Sequence, residues 1–303
     1  MPLARQGSLA AVLWALALAA SPVRAQRPDT GEGKVRHRPQ LLAGAAWLAA
    51  RLDSAGVVVI QVGASDASYR AGHIPGARFL PVEAVAAEVG GLSHEFPPAA
   101  DLAATFGALG VGDRTRVVLY GDDPGLLAAR AWVALDLLGH GDRAAVLDGG
   151  LARWRAEGRP LQTAAPRVVA RRLTIRGHPD RVVTAAWVRA HRGDPAVLLV
   201  DARAGQAFAG PGGHLPGAKN LYWVGALVSP ADPVLRPMHV LHETLWKPTG
   251  ADQPAVRTIV VYCNSGMQAS ADYFVARYVG YPDVRLYDGS MEEWTRLGYP
   301  VER

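Results

Sequence analysis

Ala71-Gly72-His73-Ile74-Pro75-Gly76-Ala77 returns later in the chain as Gly212-Gly213-His214-Leu215-Pro216-Gly217-Ala218, a displacement of 141 residues. Two further blocks return in the same order. Val117-Val118-Leu119-Tyr120 matches Ile259-Val260-Val261-Tyr262 at a displacement of 142. Leu147-Asp148-Gly149-Gly150, with Trp154, Gly158 and Pro160, matches Tyr287-Asp288-Gly289-Ser290, with Trp294, Gly298 and Pro300, at 140. Three blocks in one order at nearly one spacing mean a duplicated domain. The period is far too long for a solenoid. A chain of 303 residues accommodates two such copies.

Each copy reads as α/β. Residues 57–62, 116–120, 197–200 and 258–262 are short runs of β-branched and aliphatic residues, the composition of strands buried on both faces. Helical spacing of apolar residues is found over 41–52, 102–109, 126–138 and 267–279. Strands alternating with helices predict two tandem domains, each a mostly parallel sheet flanked by helices. The predicted boundaries are 39–162 for the first domain, 163–180 for a proline-containing linker and 181–303 for the second. Residues 168–175 within the linker are expected to add a strand to the second domain. The Trp residues at 132, 154 and 294 fall at repeat positions or on helix faces, which suits core packing. Residues 222–247 show no counterpart in the first copy and are expected to cover the functional site.

Half of the residues are hydrophobic and 19% are charged, which excludes a wholly disordered chain. The net charge of +5 is spread thinly, with no basic run, so nucleic acid is not an expected partner. The start of the chain has a different character. Arg5 precedes an apolar run from residue 9 to 20, and Val23 and Ala25 make a cleavage site after Ala25. The run is too short to span a membrane, so residues 1–25 read as a secretory signal peptide. Its removal takes away Arg5 and Arg24 and lowers the charge from +5 to +3. Residues 26–38 are expected to form a flexible lead. A bacterial periplasm is the expected location, with no membrane association after cleavage.

One cysteine, Cys263, rules out a disulfide within the chain and any Cys-rich zinc site. It directly follows the predicted strand 258–262 and precedes Asn264-Ser265-Gly266 and the predicted helix. Ligands bind at the carboxyl ends of strands in such sheets. A strand-to-helix loop there points backbone N–H groups inward, and the helix N-terminus adds partial positive charge. Both are expected to lower the thiol pKa and favour the thiolate. The matching position of the first copy is Gly121, followed by Asp122 and Asp123, so that copy has no nucleophile. The expected division is a silent first domain and an active second one, with substrate near their interface.

This pattern resembles the two-domain rhodanese sulfurtransferases over about residues 41–303. The Gly-His-Ile/Leu-Pro-Gly-Ala blocks, residues 263–268, and the stretch Tyr287-Asp288-Gly289-Ser290 with Glu293 and Trp294 carry the resemblance. The resemblance implies transfer of a sulfane sulfur from thiosulfate or 3-mercaptopyruvate to cyanide or a thiol, through a persulfide on Cys263, with no metal or organic cofactor. It also implies a small anionic donor held by Arg203, backbone donors from Asn264, Ser265, Gly266, Met267 and Gln268, and a supporting Asp201 that braces the active loop. His214 recurs as His73 in the silent copy, so its expected role is to hold a turn. A protein sulfur acceptor or reductant is a further expected partner. The loop Cys-Asn-Ser-Gly-Met-Gln departs from Cys-Arg-Lys-Gly-Val-Thr of thiosulfate enzymes and shares Ser and Gly with Cys-Gly-Ser-Gly-Val-Thr of mercaptopyruvate enzymes. Phosphatases of related fold need an arginine six residues after the cysteine, where this chain has Ala269. A sulfur carrier that accepts one sulfur and hands it to another protein remains the alternative.

Overall fold

The computed structural model describes residues 35–121 and 123–303. The expected signal peptide, most of the expected lead and Asp122 lie outside the described residues. The first domain is a five-stranded sheet of β1 (Leu42–Ala43), β2 (Val57–Gly63), β3 (Arg78–Pro81), β6 (Arg116–Tyr120) and β7 (Ala144–Leu147). Its order is β1-β7-β6-β2-β3 and every pairing is parallel. An antiparallel hairpin of β4 (Ala87–Val89) and β5 (Leu92–Glu95) stands apart from it. The second domain repeats the plan with β8 (Val197–Asp201), β9 (Lys219–Asn220), β10 (Thr258–Tyr262) and β11 (Val284–Leu286), in the order β11-β10-β8-β9. Val182 bridges Leu286 in parallel and stands where β1 stands in the first copy.

The repeated residues perform repeated tasks. His73 stacks on Tyr69 at 3.8 Å, and His214 stacks on Phe208 at 3.7 Å. The hydroxyls of Tyr120 and Tyr262 accept from the N–H groups of Ile74 and Leu215 at 3.0 and 3.1 Å. The indoles of Trp154 and Trp294 both donate to a proline carbonyl at 2.9 Å. Trp132, Trp154 and Trp294 lie fully buried in the core, as expected.

The two copies form one body. Helix Leu126–Leu137 of the first packs directly on helix Met267–Val279 of the second, with Trp132 set edge-on to Phe274 at 5.1 Å. Both helices are buried on nearly every side, between their own sheet and each other.

Several expectations need correction. The helix predicted over 41–52 is the short strand β1 followed by helix Ala45–Ala49, because Leu42 and Ala43 find a parallel partner in β7. Helix 102–109 begins earlier, at Ala99 behind Pro98. Residues 168–175 form no strand of the second domain. They run extended over the first, where the Arg171 N–H donates to the Gly107 carbonyl and the Thr174 N–H to Asp113. The described end of the lead is bound too: the N–H groups of Arg36 and Arg38 donate to Gly280 and Tyr278 at 3.1 and 3.0 Å.

Segment 222–247 has a counterpart after all, and it covers the other copy. The first domain sends residues 82–98 over the second, where the Phe96 N–H donates to Asp288 at 2.9 Å. The second sends 222–247 over the first, where the Leu235 N–H donates to Asp148, also at 2.9 Å. Asp148 and Asp288 are repeat equivalents, so the exchange is reciprocal.

Candidate active site

β10 is held between β8 and β11, and Cys263 is the first residue beyond its carboxyl end. The chain then turns through Gly266 (φ +78°), where a Cβ would collide with the Asp288 carboxylate. Ser290 knots this turn. It is buried, sits in a left-handed conformation (φ 52°), and its hydroxyl accepts from the N–H groups of Cys263 (3.0 Å) and Gly266 (3.1 Å) while donating to the Tyr287 carbonyl (2.8 Å). Met291 and Glu292 N–H groups take up the carbonyls of Cys263 and Asn264. With the carbonyls bound on that side, the amides of Ser265, Gln268 and Ala269 are left to face the sulfur.

The expected depression of the thiol pKa is overturned. Burial pushes the Cys263 thiol up, and the N–H groups of Ala269, Ser265 and Gln268 with the Ser290 hydroxyl pull against it without winning. At 1% exposure the thiolate loses too much hydration. The cradle therefore stabilises a thiolate without making it the resting form.

Over the loop lies a cleft of about 360 Å³ between the domains. Asn264, Ser265, Arg203 and Glu292 line it from the second domain, and Ser93 and His94 reach in from the β4–β5 hairpin of the first. His94 also has positive φ (60°), and its Nδ1 lies 3.0 Å from the Ser265 Oγ. Ser93 is tied to Glu292 by its N–H and hydroxyl.

Arg203 stands on the cleft wall, but most of its guanidinium is committed. Nε and Nη2 bind Asp201 at 3.0 and 2.6 Å, and Nη2 also donates to the Gly213 carbonyl at 2.8 Å. Its charge and a Cys263 thiolate favour each other. Asp201 thus braces Arg203 directly, rather than the active loop it was expected to brace. Met267 and Gln268 open the helix and are half-buried, and the Gln268 N–H faces the sulfur. His214 stays outside the cleft, bound to the Phe208 carbonyl.

Two features were missed by the sequence reading. Arg130, from the first domain, is fully buried and grips Asp288 with Nη1 (2.6 Å) and Nη2 (3.0 Å), while donating also to Ser270 and the carbonyls of Val85 and His94. It joins the hairpin, the active-site helix and the Asp288 turn. Beside the first copy's Asp148, the place that Arg130 takes beside Asp288 is filled by Ala271 of the second domain, which lines a small apolar cavity of about 40 Å³ with Trp223 and Leu235. That copy's loop has Gly121 in place of the cysteine, and Asp123 caps the Leu127 N–H at 3.1 Å.

The second missed residue is Glu95, next to His94. Its Oε1 is buried without a hydrogen-bond partner. Burial first, then the charge of Asp288, pushes its carboxyl up to about 8 against the pull of Arg130. Between about 4.5 and 8 the folded protein therefore holds a proton that the unfolded chain releases. Stability is fullest below that window and falls as pH rises through it. We expect Glu95→Gln to flatten this slope in denaturant unfolding across the same range. An unchanged slope would show that Glu95 does not hold the proton.

Comparison with known proteins agrees with this geometry. A family model for the rhodanese-like domain matches residues 44–157 and again 184–297, and the chain belongs to that family as two tandem copies. It is 37% identical to a probable 3-mercaptopyruvate sulfurtransferase of Pseudomonas aeruginosa, over 84% of this chain and 94% of that one. It is 32% identical to the sulfur carrier protein TtuD of Thermus thermophilus, over 88% and 97%. It is 31% identical to a thiosulfate sulfurtransferase of Azotobacter vinelandii, over 82% and 92%. The crystal structure of SseA from Escherichia coli, a 3-mercaptopyruvate sulfotransferase, superposes with a TM-score of 0.70 at 26% identity, covering 82% of this chain and 98% of that one. The protein is an enzyme of the sulfurtransferase class.

Proposed function

We propose that the enzyme carries sulfur on Cys263 and takes it from a donor bearing a single carboxylate, of which 3-mercaptopyruvate is the simplest. The observation that carries this reading is the sole cysteine at the end of β10, facing three amides and the Ser290 hydroxyl beside Arg203. The Cys263 thiolate attacks the donor sulfur and the donor C–S bond breaks. Its electron pair and the donor thiol proton go to carbon, leaving pyruvate and a persulfide. A thiol or cyanide then attacks the outer sulfur and restores the thiolate. His94, hydrogen-bonded to Ser265, puts an imidazole in the cleft where the donor would enter.

Charge favours the monoanion. Arg203 is already largely neutralised by Asp201, and Glu292 adds a carboxylate to the cleft wall. Little positive charge is left to offset the second charge of thiosulfate. Export through residues 1–25 would place this chemistry in the periplasm.

Parallel steady-state assays with the two donors test the proposal, with turnover of mercaptopyruvate expected to exceed that of thiosulfate. Uptake of one sulfur without turnover would favour a carrier role instead. Arg203→Ala is expected to raise the donor KM by about tenfold, as loss of a charged hydrogen bond does, and to change kcat less. A large loss of kcat at unchanged KM would remove Arg203 from donor binding.

A further inference from the structure

The helix behind the cysteine carries a carboxyl that the chemistry above does not use. Asp272 is buried, and its Oδ2 has no hydrogen-bond partner. Four residues earlier, Gln268 has the same defect: Oε1 is buried without a partner. Side chains four apart in a helix share a face and meet. Each oxygen lacks a donor, and a proton on the carboxyl would supply one to the amide oxygen. The surroundings favour that proton. Burial first, and the charge of Asp201 second, push the Asp272 carboxyl well above the usual carboxylate range. Asp201 itself is committed to Arg203.

We propose that Asp272 keeps its proton in the resting enzyme and donates it from Oδ2 to the Gln268 Oε1, which makes it a positioning residue for the amide cradle. The Gln268 and Ala269 N–H groups are two of the donors that face the sulfur. Anchoring the Gln268 side chain fixes the first helical turn, from which both amides project. The inference rests on Cys263 being the reacting thiol, and one arm of its test does not.

Asp272→Asn keeps a donor in the same place without a carboxyl. Asp272→Leu keeps the bulk and removes the donor. In infrared difference spectra of the full chain near neutral pH, the wild type minus Asp272→Asn should show the band of a protonated carboxyl. Iodoacetamide should alkylate Cys263 in Asp272→Asn within about threefold of the wild-type rate, and about tenfold more slowly in Asp272→Leu, the size of one lost hydrogen bond. Gln268→Leu should reproduce the Asp272→Leu effect, and the double variant should be no slower than either. A carboxylate band in the difference spectrum would overturn the proposal. So would equal alkylation of the Asn and Leu variants, or additive effects of the two leucines. Should Asp272→Leu fail to fold, the spectrum and Gln268→Leu still decide. If Cys263 proves not to carry sulfur, the infrared result stands by itself.

Discussion

Cys263→Ser should abolish sulfur loading. After incubation with donor, the wild-type chain should gain about 32 Da, one sulfur atom, located on Cys263, and the variant should gain nothing. Turnover should fall by at least about a thousandfold, because serine offers no polarisable anion and its hydroxyl stays protonated at neutral pH. Among the described residues no other cysteine is present to substitute, and the sequence contains none elsewhere. Because burial raises the thiol, the wild-type loading rate should increase with pH. A mass gain that survives the substitution would place the sulfur on another group and remove Cys263 from the reaction.

Arg130→Met should be the most destabilising single change at the domain interface. Arg130 and Asp288 are both buried and bound at 2.6 Å. Removing the guanidinium leaves a buried carboxylate with its charge uncompensated, beside Glu95, which that charge already disfavours. The expected loss in denaturant unfolding is about 3–5 kcal/mol. Adding Asp288→Leu should recover much of it, since a matched apolar pair carries no desolvation cost. A loss below about 1 kcal/mol would show that the pair is not closed off from water. Activity should fall with stability, because Arg130 also binds the His94 carbonyl and so sets the hairpin over the cleft.

The duplication, the parallel sheets and the cysteine loop were legible because each is written in a short contiguous run. The Gly-His-Ile/Leu-Pro-Gly-Ala turns reveal themselves twice, and so does the strand-ending tyrosine, Tyr120 in one copy and Tyr262 in the other. What connects the two copies was not legible. Arg130 lies 158 residues from Asp288, in a helix whose apolar neighbours give no hint of a charge partner. The counterpart relation between residues 82–98 and 222–247 is hidden because each segment is fitted to a different floor. One lies over a charged turn held by Arg130, the other over an apolar cavity beside Ala271. The sign of the thiol shift was misread for a related reason. Loop amides can be inferred from a strand-to-helix junction, but the depth of burial depends on packing that no local run records. The strand-like run at 168–175 was assigned to the wrong domain and the end of the lead was left free, since both follow surfaces made by distant segments.

The reciprocal straps carry a consequence for how such a duplicated chain can change. A fragment holding only residues 181–303 would retain the nucleophile yet forfeit Ser93, His94 and Arg130, and with them the roof and the clamp of its own reaction chamber. The copy without a thiol is therefore indispensable as architecture to the site of the other.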